Sequence, residues 1–331
     1  MLRKITFSYF IFFWIVISSV AQALFVTGFS SSIHTFDRSG TRQATFIGKN
    51  FDWSGVGYSS TGDWVTLIEN PNGPNRFGLS AWHKKPSIGE AVTFWWHDHN
   101  GGASASNLGS QTLSVKAVYD IFNSGDFEDN FSSGRTDLAL IEFTANPSSS
   151  IKAYPIYNGA DQTLNFQGEG AISTSPKDGA VSNIFFMVGS GSGASLRVGT
   201  STSQGEVHDI PIGSLSGGGH SIRFDLDPSG DGFAPDSPTI DQALGQGGDS
   251  GAPAFFAPPS NSAGADGYYG MTIIGVNSAV DSNGTVISLA NEYSTDIEAQ
   301  MITAIPEPGQ VGMIFGLLGM LAVGCYRWTR L

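Results

Sequence analysis

The sequence predicts an all-β fold, a sandwich or a barrel, on three observations. Short runs of β-branched and aromatic residues recur along it. Clusters of Asn, Pro, Gly and Ser separate those runs, and helical periodicity is nearly absent. Composition points the same way: 43 of 331 residues are Gly and only 14% are charged, which suits many short strands and turns. With 40% apolar and 12% aromatic residues the chain can bury a sizeable core, which excludes a disordered or coiled-coil protein. A formal charge of −13 argues against nucleic acid or anionic lipid as a partner, because both demand a basic patch. The single Cys, Cys325, excludes an intramolecular disulfide, a Cys-rich zinc site and a thiol redox pair.

Taken in order, the chain opens with Arg3 and Lys4, an apolar run over residues 7–20 and the exit Ala21-Gln22-Ala23. This layout predicts a secretory signal peptide over residues 1–23. Trp64-Val65-Thr66-Leu67-Ile68, Ala91-Val92-Thr93-Phe94-Trp95 and Leu138-Ala139-Leu140-Ile141-Glu142-Phe143 read as strands. So do Ile184-Phe185-Phe186-Met187-Val188 and Met271-Thr272-Ile273-Ile274-Gly275-Val276. Turns break them at Asn70-Pro71-Asn72-Gly73-Pro74 and Asn146-Pro147-Ser148-Ser149-Ser150. Helical spacing predicts a helix over 295–303 and a second one over 114–122. The polar stretch 146–161 reads as a linker between two β units, and no fixed-period repeat suggests a propeller or solenoid.

The chain ends on Ile305-Pro306-Glu307-Pro308-Gly309, an uncharged span over 311–326, and Arg327-Trp328-Thr329-Arg330. That tripartite tail resembles the PEP-CTERM sorting signal of Gram-negative bacteria. The resemblance implies export to the cell envelope, outer surface or extracellular matrix, and exosortase-type sorting machinery as a partner. It also implies a transmembrane helix in the tail, so that the protein meets the membrane only through its terminal segments.

The chemistry centres on Gly247-Gly248-Asp249-Ser250-Gly251-Ala252-Pro253. Glycines on both sides of a Ser let the backbone turn sharply and aim successive N–H groups at one point. An acyl-transfer site needs such a point to hold the developing oxyanion. A Ser also needs a base within reach and a carboxylate to orient that base. Two upstream segments offer them: Phe77-Gly78-Leu79-Ser80-Ala81-Trp82-His83, and Arg135-Thr136-Asp137-Leu138-Ala139-Leu140.

Together these three segments resemble the chymotrypsin/trypsin-like serine proteases. The likeness runs over roughly residues 45–303, with Leu164-Asn165-Phe166-Gln167-Gly168-Glu169-Gly170 similar to the strand that opens a second barrel. It implies two antiparallel six-stranded Greek-key β-barrels, over 24–158 and 159–304, a short C-terminal helix and a sorting segment over 305–331. It implies His83 as general base, Asp137 as its orienting carboxylate and Ser250 as nucleophile. The N–H groups of Gly248 and Ser250 would receive the oxyanion, and Leu244, Asn277 and Ser278 would line the substrate pocket. The implied activity is that of an endopeptidase acting on protein or peptide without cofactor or metal.

Three departures from the pattern carry expectations. Ala252 and Trp82 stand where the family has smaller residues. No Ile-Val-Gly-Gly segment follows an Arg or Lys, so Asp249 is expected to find an internal partner. Leu244 occupies the pocket-floor position, so a medium apolar or small side chain before the scissile bond is expected, not Lys or Arg.

Other constellations are less specific. In Trp95-Trp96-His97-Asp98-His99-Asn100, His97 and His99 would share a strand face and could hold a metal. Asp225, Asp227 and Asp231 resemble a Ca²⁺ loop, but the 12-residue spacing is not met. The competing function class is a non-catalytic β-rich matrix or carbohydrate-binding protein, for which seven Trp would supply stacking surfaces.

Overall fold

A computed structural model of the chain describes residues 24–26, 28–38, 44–96, 109–122, 135–157, 184–190, 195–201, 206–211, 218–225, 243–257, 270–280, 284–290 and 293–304. Both end segments, His97, His99, Asp227, Asp231 and residues 164–170 lie outside these described residues. Among the described residues no helix is long and apolar enough to cross a membrane.

The protein is all-β, with a closed six-stranded antiparallel barrel, a second antiparallel sheet and one short C-terminal helix. The N-terminal segment carries β1 (Phe25–Val26), the single turn α1 (Ser31–His34) and β2 (Thr35–Asp37). The barrel follows: β3 (Val56–Ser59), β4 (Trp64–Ile68), β5 (Phe77–Ala81), β6 (Ala91–Trp96), β7 (Gly109–Phe122) and β8 (Arg135–Phe143). It closes in the order β3-β4-β5-β8-β7-β6, with β6 returning to β3 through Tyr58 and Thr93.

The second half holds β9 (Ile184–Ser190), β10 (Ser195–Ser201), β11 (Glu206–Pro211) and β12 (Gly218–Asp225). It continues with β13 (Ala243–Leu244), β14 (Pro253–Ala257), β15 (Thr272–Val280), β16 (Gly284–Leu289) and α2 (Ser294–Ala304). Eight strands pair in the order β11-β12-β16-β15-β14-β9-β10-β2, so the N-terminal β2 covers one edge. The other N-terminal strand, β1, pairs separately with β13.

The continuous apolar runs have a simple cause: their strands are buried on both faces. In β4 all five residues are buried. Val65 and Leu67 fill the barrel interior with Val92, Phe94, Leu113, Val115, Ile141 and Phe143. The alternate residues Trp64 and Ile68 turn outward and join Phe186, Val188, Phe255, Ile273 and Val276 of the second sheet in one cluster. A period-2 strand therefore reads as unbroken hydrophobicity when each of its faces has a core of its own.

The helix expected over 114–122 is a strand instead, the C-terminal part of β7. Its pairing with β8 shifts register twice: Lys116 is an extra residue in β7 between Val115 and Ala117, whereas from Asp120 to Phe122 the extra residues lie on β8, between Arg135 and Ala139. The Lys116 bulge lets Val115 and Val118 pack on the same cluster, and Ile121 joins the cluster on the other side, so apolar residues recur every third position without a helix. The helix expected over 295–303 is α2, which buries Ile297 and Met301 one turn apart.

Residues 146–157 lead from the barrel to the second sheet. Tyr154 bridges Ile68 of β4, and Ile156 bridges Ile273 of β15. Tyr154 also donates its hydroxyl to the Asp52 carbonyl at 2.7 Å and packs on Phe255 with ring centroids 4.7 Å apart.

Candidate active site

His83 sits in a single 3-10 turn, Trp82–Lys84, that starts where β5 ends. The neighbouring strand β8 pairs Ala81 with Leu138, which brings Asp137 alongside that turn. Thr136 fixes the start of β8, donating its hydroxyl to the Ile121 carbonyl at 2.8 Å. Asp137 is buried, at 1% exposure, yet its carboxylate has donors. Its Oδ1 accepts the His83 main-chain N–H at 3.0 Å, and its Oδ2 lies 2.8 Å from His83 Nδ1. The far imidazole nitrogen, Nε2, is 3.0 Å from Ser250 Oγ. An imidazole and a carboxylate from the barrel thus meet a hydroxyl from the second half of the chain, in line and within hydrogen-bond reach.

Ser250 stands on the turn between β13 and β14. Gly248 there has φ +104° and Gly251 has φ +84°, the left-handed region that favours glycine. Gly251 has a second reason to lack a side chain. A Cβ on it would lie 2.8 Å from Ser80 Oγ and 3.0 Å from the Trp64 carbonyl, so the turn is pressed against the barrel. Its N–H donates to the Asn277 carbonyl at 2.7 Å, and the Asn277 N–H donates to the Ala252 carbonyl at 2.8 Å. Among the described residues, neither the Gly248 nor the Ser250 N–H is given to an acceptor. Open space flanks Gly247 and Gly248, where a Cβ would meet nothing within 4 Å.

Asp249 is fully buried, and its carboxylate accepts the Gln246 N–H at 2.7 Å. That is an internal partner of the kind expected. Gly189 of β9 makes room for it, since a Cβ there would sit 2.7 Å from the Asp249 carboxyl carbon. The lone Gly within an apolar strand was a signal of close approach, though not of what approaches. Tyr58 faces the same region, and its phenol is pushed up, chiefly by burial and then by Asp63, with Asp249 adding to the effect.

The remaining expected residues fall as follows. Trp82, beside His83, packs against the barrel core, and the Lys85 ammonium sits 3.4 Å from its ring centroid, so the larger side chain is accommodated. Asn277 and Ser278 lie on β15 next to the Ser250 turn, and Ser278 shares a 2.5 Å hydrogen bond with Ser288. Leu244 belongs to β13, with its backbone paired to Phe25. Asp225 is the last residue of β12, where its backbone pairs with Gly284 of β16. Among the described residues no three His, Cys, Asp or Glu side chains gather as a metal site. The residues that sequence reasoning missed are Ser80, Gln246 and Gly189, whose parts are steric or made by the backbone. A surface cavity of about 500 Å³, lined by Asp52, Glu69, Asn75, Asn146 and Lys152 among others, contains none of the three triad residues.

Chemically, the arrangement can remove a proton from a hydroxyl, hold the resulting imidazolium against a carboxylate and offer two N–H groups to a developing negative charge. No family model matches the chain, and no curated protein matches it.

Proposed function

We propose that the protein is an exported serine endopeptidase that hydrolyses peptide bonds through an acyl-enzyme intermediate. The observation that carries this reading is the continuous relay Asp137–His83–Ser250, with contacts of 2.8 and 3.0 Å. In the resting state Ser250 Oγ–H donates to Nε2, while Nδ1–H donates to Asp137. As Oγ attacks the scissile carbonyl, the C–O bond forms and Nε2 takes the hydroxyl proton. Asp137 then faces an imidazolium and stabilises it. The carbonyl oxygen gains charge in front of the Gly248 and Ser250 N–H groups. Collapse breaks the C–N bond, and His83 gives its proton to the leaving amine. Water repeats the sequence on the ester and regenerates Ser250.

The signal-like and sorting-like ends support export and retention at the envelope of a Gram-negative cell. The substrate is a protein or peptide, and the chemistry needs no cofactor. A fluorophosphonate probe tests the reading: the folded protein is expected to form a covalent adduct on Ser250. Ser250→Ala should fold like the parent, take no probe and lose about 10⁴-fold or more in turnover. A parent protein that stays unlabelled would favour the non-catalytic matrix or carbohydrate-binding reading.

A further inference from the structure

We propose that Asn277 makes the site selective for peptide bonds preceded by a carboxamide side chain, Gln or Asn. The inference rests on the peptidase reading and names the substrate class of that same site. Asn277 is tied by its backbone to the two residues that follow the nucleophile, through the hydrogen bonds to Gly251 and Ala252. Its side chain points the other way, against Gly245, the residue after β13 from which the chain enters the nucleophile turn. A Cβ on Gly245 would fall 2.2 Å from Asn277 Nδ2. The amide therefore packs against the segment that leads into the nucleophile turn.

That amide is 3% exposed, and its Nδ2 has no hydrogen-bond partner among the described residues. A buried amide without a partner is costly and uncommon in a folded protein. Two and three residues further along the same segment, Gly247 and Gly248 face open space. A buried amide donor without an acceptor, packed against the nucleophile segment, suits a ligand that brings its own. Two hydroxyl pairings lie next to these residues in sequence and are already made: Thr285 Oγ1 accepts the Gly245 N–H at 2.7 Å, and Ser278 and Ser288 bond each other.

The occupant follows from charge and from the chemistry of the amide. A carboxylate could accept from Nδ2, but it would enter near buried Asp137 and Asp249 in a chain of net charge −13. A carboxamide carries no charge and offers both an acceptor and a donor. It therefore pairs with Asn277 whichever way that amide is turned. The preference differs from the apolar one that Leu244 suggested. Asn277 is the residue whose side chain abuts the nucleophile segment, whereas Leu244 is held in the β1–β13 pair.

The test compares peptides that differ only in the residue before the scissile bond, using the full chain. Gln and Asn are set against Met and Leu, which have similar shapes without the polar ends, and against Glu, Ala and Lys. We expect kcat/KM for Gln or Asn to exceed that for Met or Leu by roughly 10- to 100-fold. Asn277→Leu should invert that ratio. Equal or faster cleavage after Met, Leu or Glu in the parent overturns the inference, and so does a ratio unchanged in Asn277→Leu. Fluorophosphonate labelling of the parent is the separate control. An adduct without the carboxamide preference sinks the selectivity and leaves the peptidase reading intact; neither adduct nor cleavage sinks both.

Discussion

Replacing Asp137 by Asn tests the proposed relay with little change of shape. In the parent, both carboxylate oxygens accept: Oδ1 from the His83 main-chain N–H at 3.0 Å, and Oδ2 from Nδ1 at 2.8 Å. An amide has one acceptor and one donor for the same two donors. If its oxygen keeps the main-chain N–H, its NH₂ faces Nδ1, which must then be unprotonated to accept. The imidazole proton moves to Nε2 and points at Ser250 Oγ, 3.0 Å away. A nitrogen that already carries a proton cannot take the one on the hydroxyl. In the other orientation the amide NH₂ opposes the main-chain N–H at a residue that is 1% exposed. Loss of the productive tautomer costs about 10⁴-fold in kcat, equivalent to about 5.4 kcal/mol of barrier. Loss of a charge-assisted bond to a buried group costs about 1.5–3 kcal/mol of stability. The two effects separate experimentally: kcat on the best peptide reports the first, and thermal unfolding followed by circular dichroism reports the second. If Asp137→Asn keeps turnover within tenfold of the parent while melting normally, Asp137 does not orient the base and the relay is wrong.

Two further substitutions probe the scaffold around the site. Gly251→Ala must place a Cβ 2.8 Å from Ser80 Oγ and 3.0 Å from the Trp64 carbonyl, at φ +84°. It should cost about 2–4 kcal/mol in thermal unfolding and slow probe labelling of Ser250, because the turn has to move off the barrel. Glu142→Gln removes a buried carboxylate that holds Lys116 at 2.7 Å, Arg76 at 2.8 Å and the Tyr119 hydroxyl at 2.9 Å. Because Arg76 and Lys116 are partly exposed, the loss should be about 1–2 kcal/mol and not the larger value of a sealed pair. Burial first, and then Glu142, push the Tyr119 phenol up to about 12. The folded phenol is thus harder to ionise than the unfolded one, near 10. Its contribution is complete below about pH 10 and is lost as pH rises toward 12. Ultraviolet titration should find this ionisation at lower pH in Glu142→Gln, yet still delayed, since burial remains.

Legibility in the sequence divides along physical lines. Strands with a core on each face, such as β4, were plain because every residue in them is apolar or small. The β7 strand reads as a helix because one bulge and burial on both faces place apolar residues every third position. The three groups of the proposed relay were readable because hydroxyl, imidazole and carboxylate are residue types such chemistry requires, each in a local pattern. Its neighbours were not, because their parts depend on clearance or on the backbone. Gly189 matters only through the Asp249 carboxylate that packs against it, and Gln246 only through its main-chain N–H. The Glu142 cluster is likewise invisible in sequence. Register alone brings Arg76, Lys116 and Glu142 together, through pairing of β8 with both β5 and β7.

What holds the relay at 3.0 Å has to lie outside the relay. Each hydrogen bond contributes about 1 kcal/mol net, too little to fix two halves of a chain that share no disulfide. The seam between barrel and second sheet is apolar and continuous. Trp53 lies at its middle, with Phe46, Phe51, Phe186 and Phe255 around it at centroid distances of 5.8–6.4 Å. Its indole N–H is satisfied by the Gly48 carbonyl at 2.8 Å, so the ring is buried without an orphan donor. Each such side chain contributes about 1.5–3 kcal/mol on burial. Tyr154 and Ile156 then fasten the connecting segment to one strand of each half. His83 and Asp137 leave the barrel from β5 and β8, and Ser250 precedes β14, whose Phe255 is part of the seam. The spacing of the three groups is therefore set by aromatic packing across the seam, and the hydrogen bonds among them report that spacing without creating it.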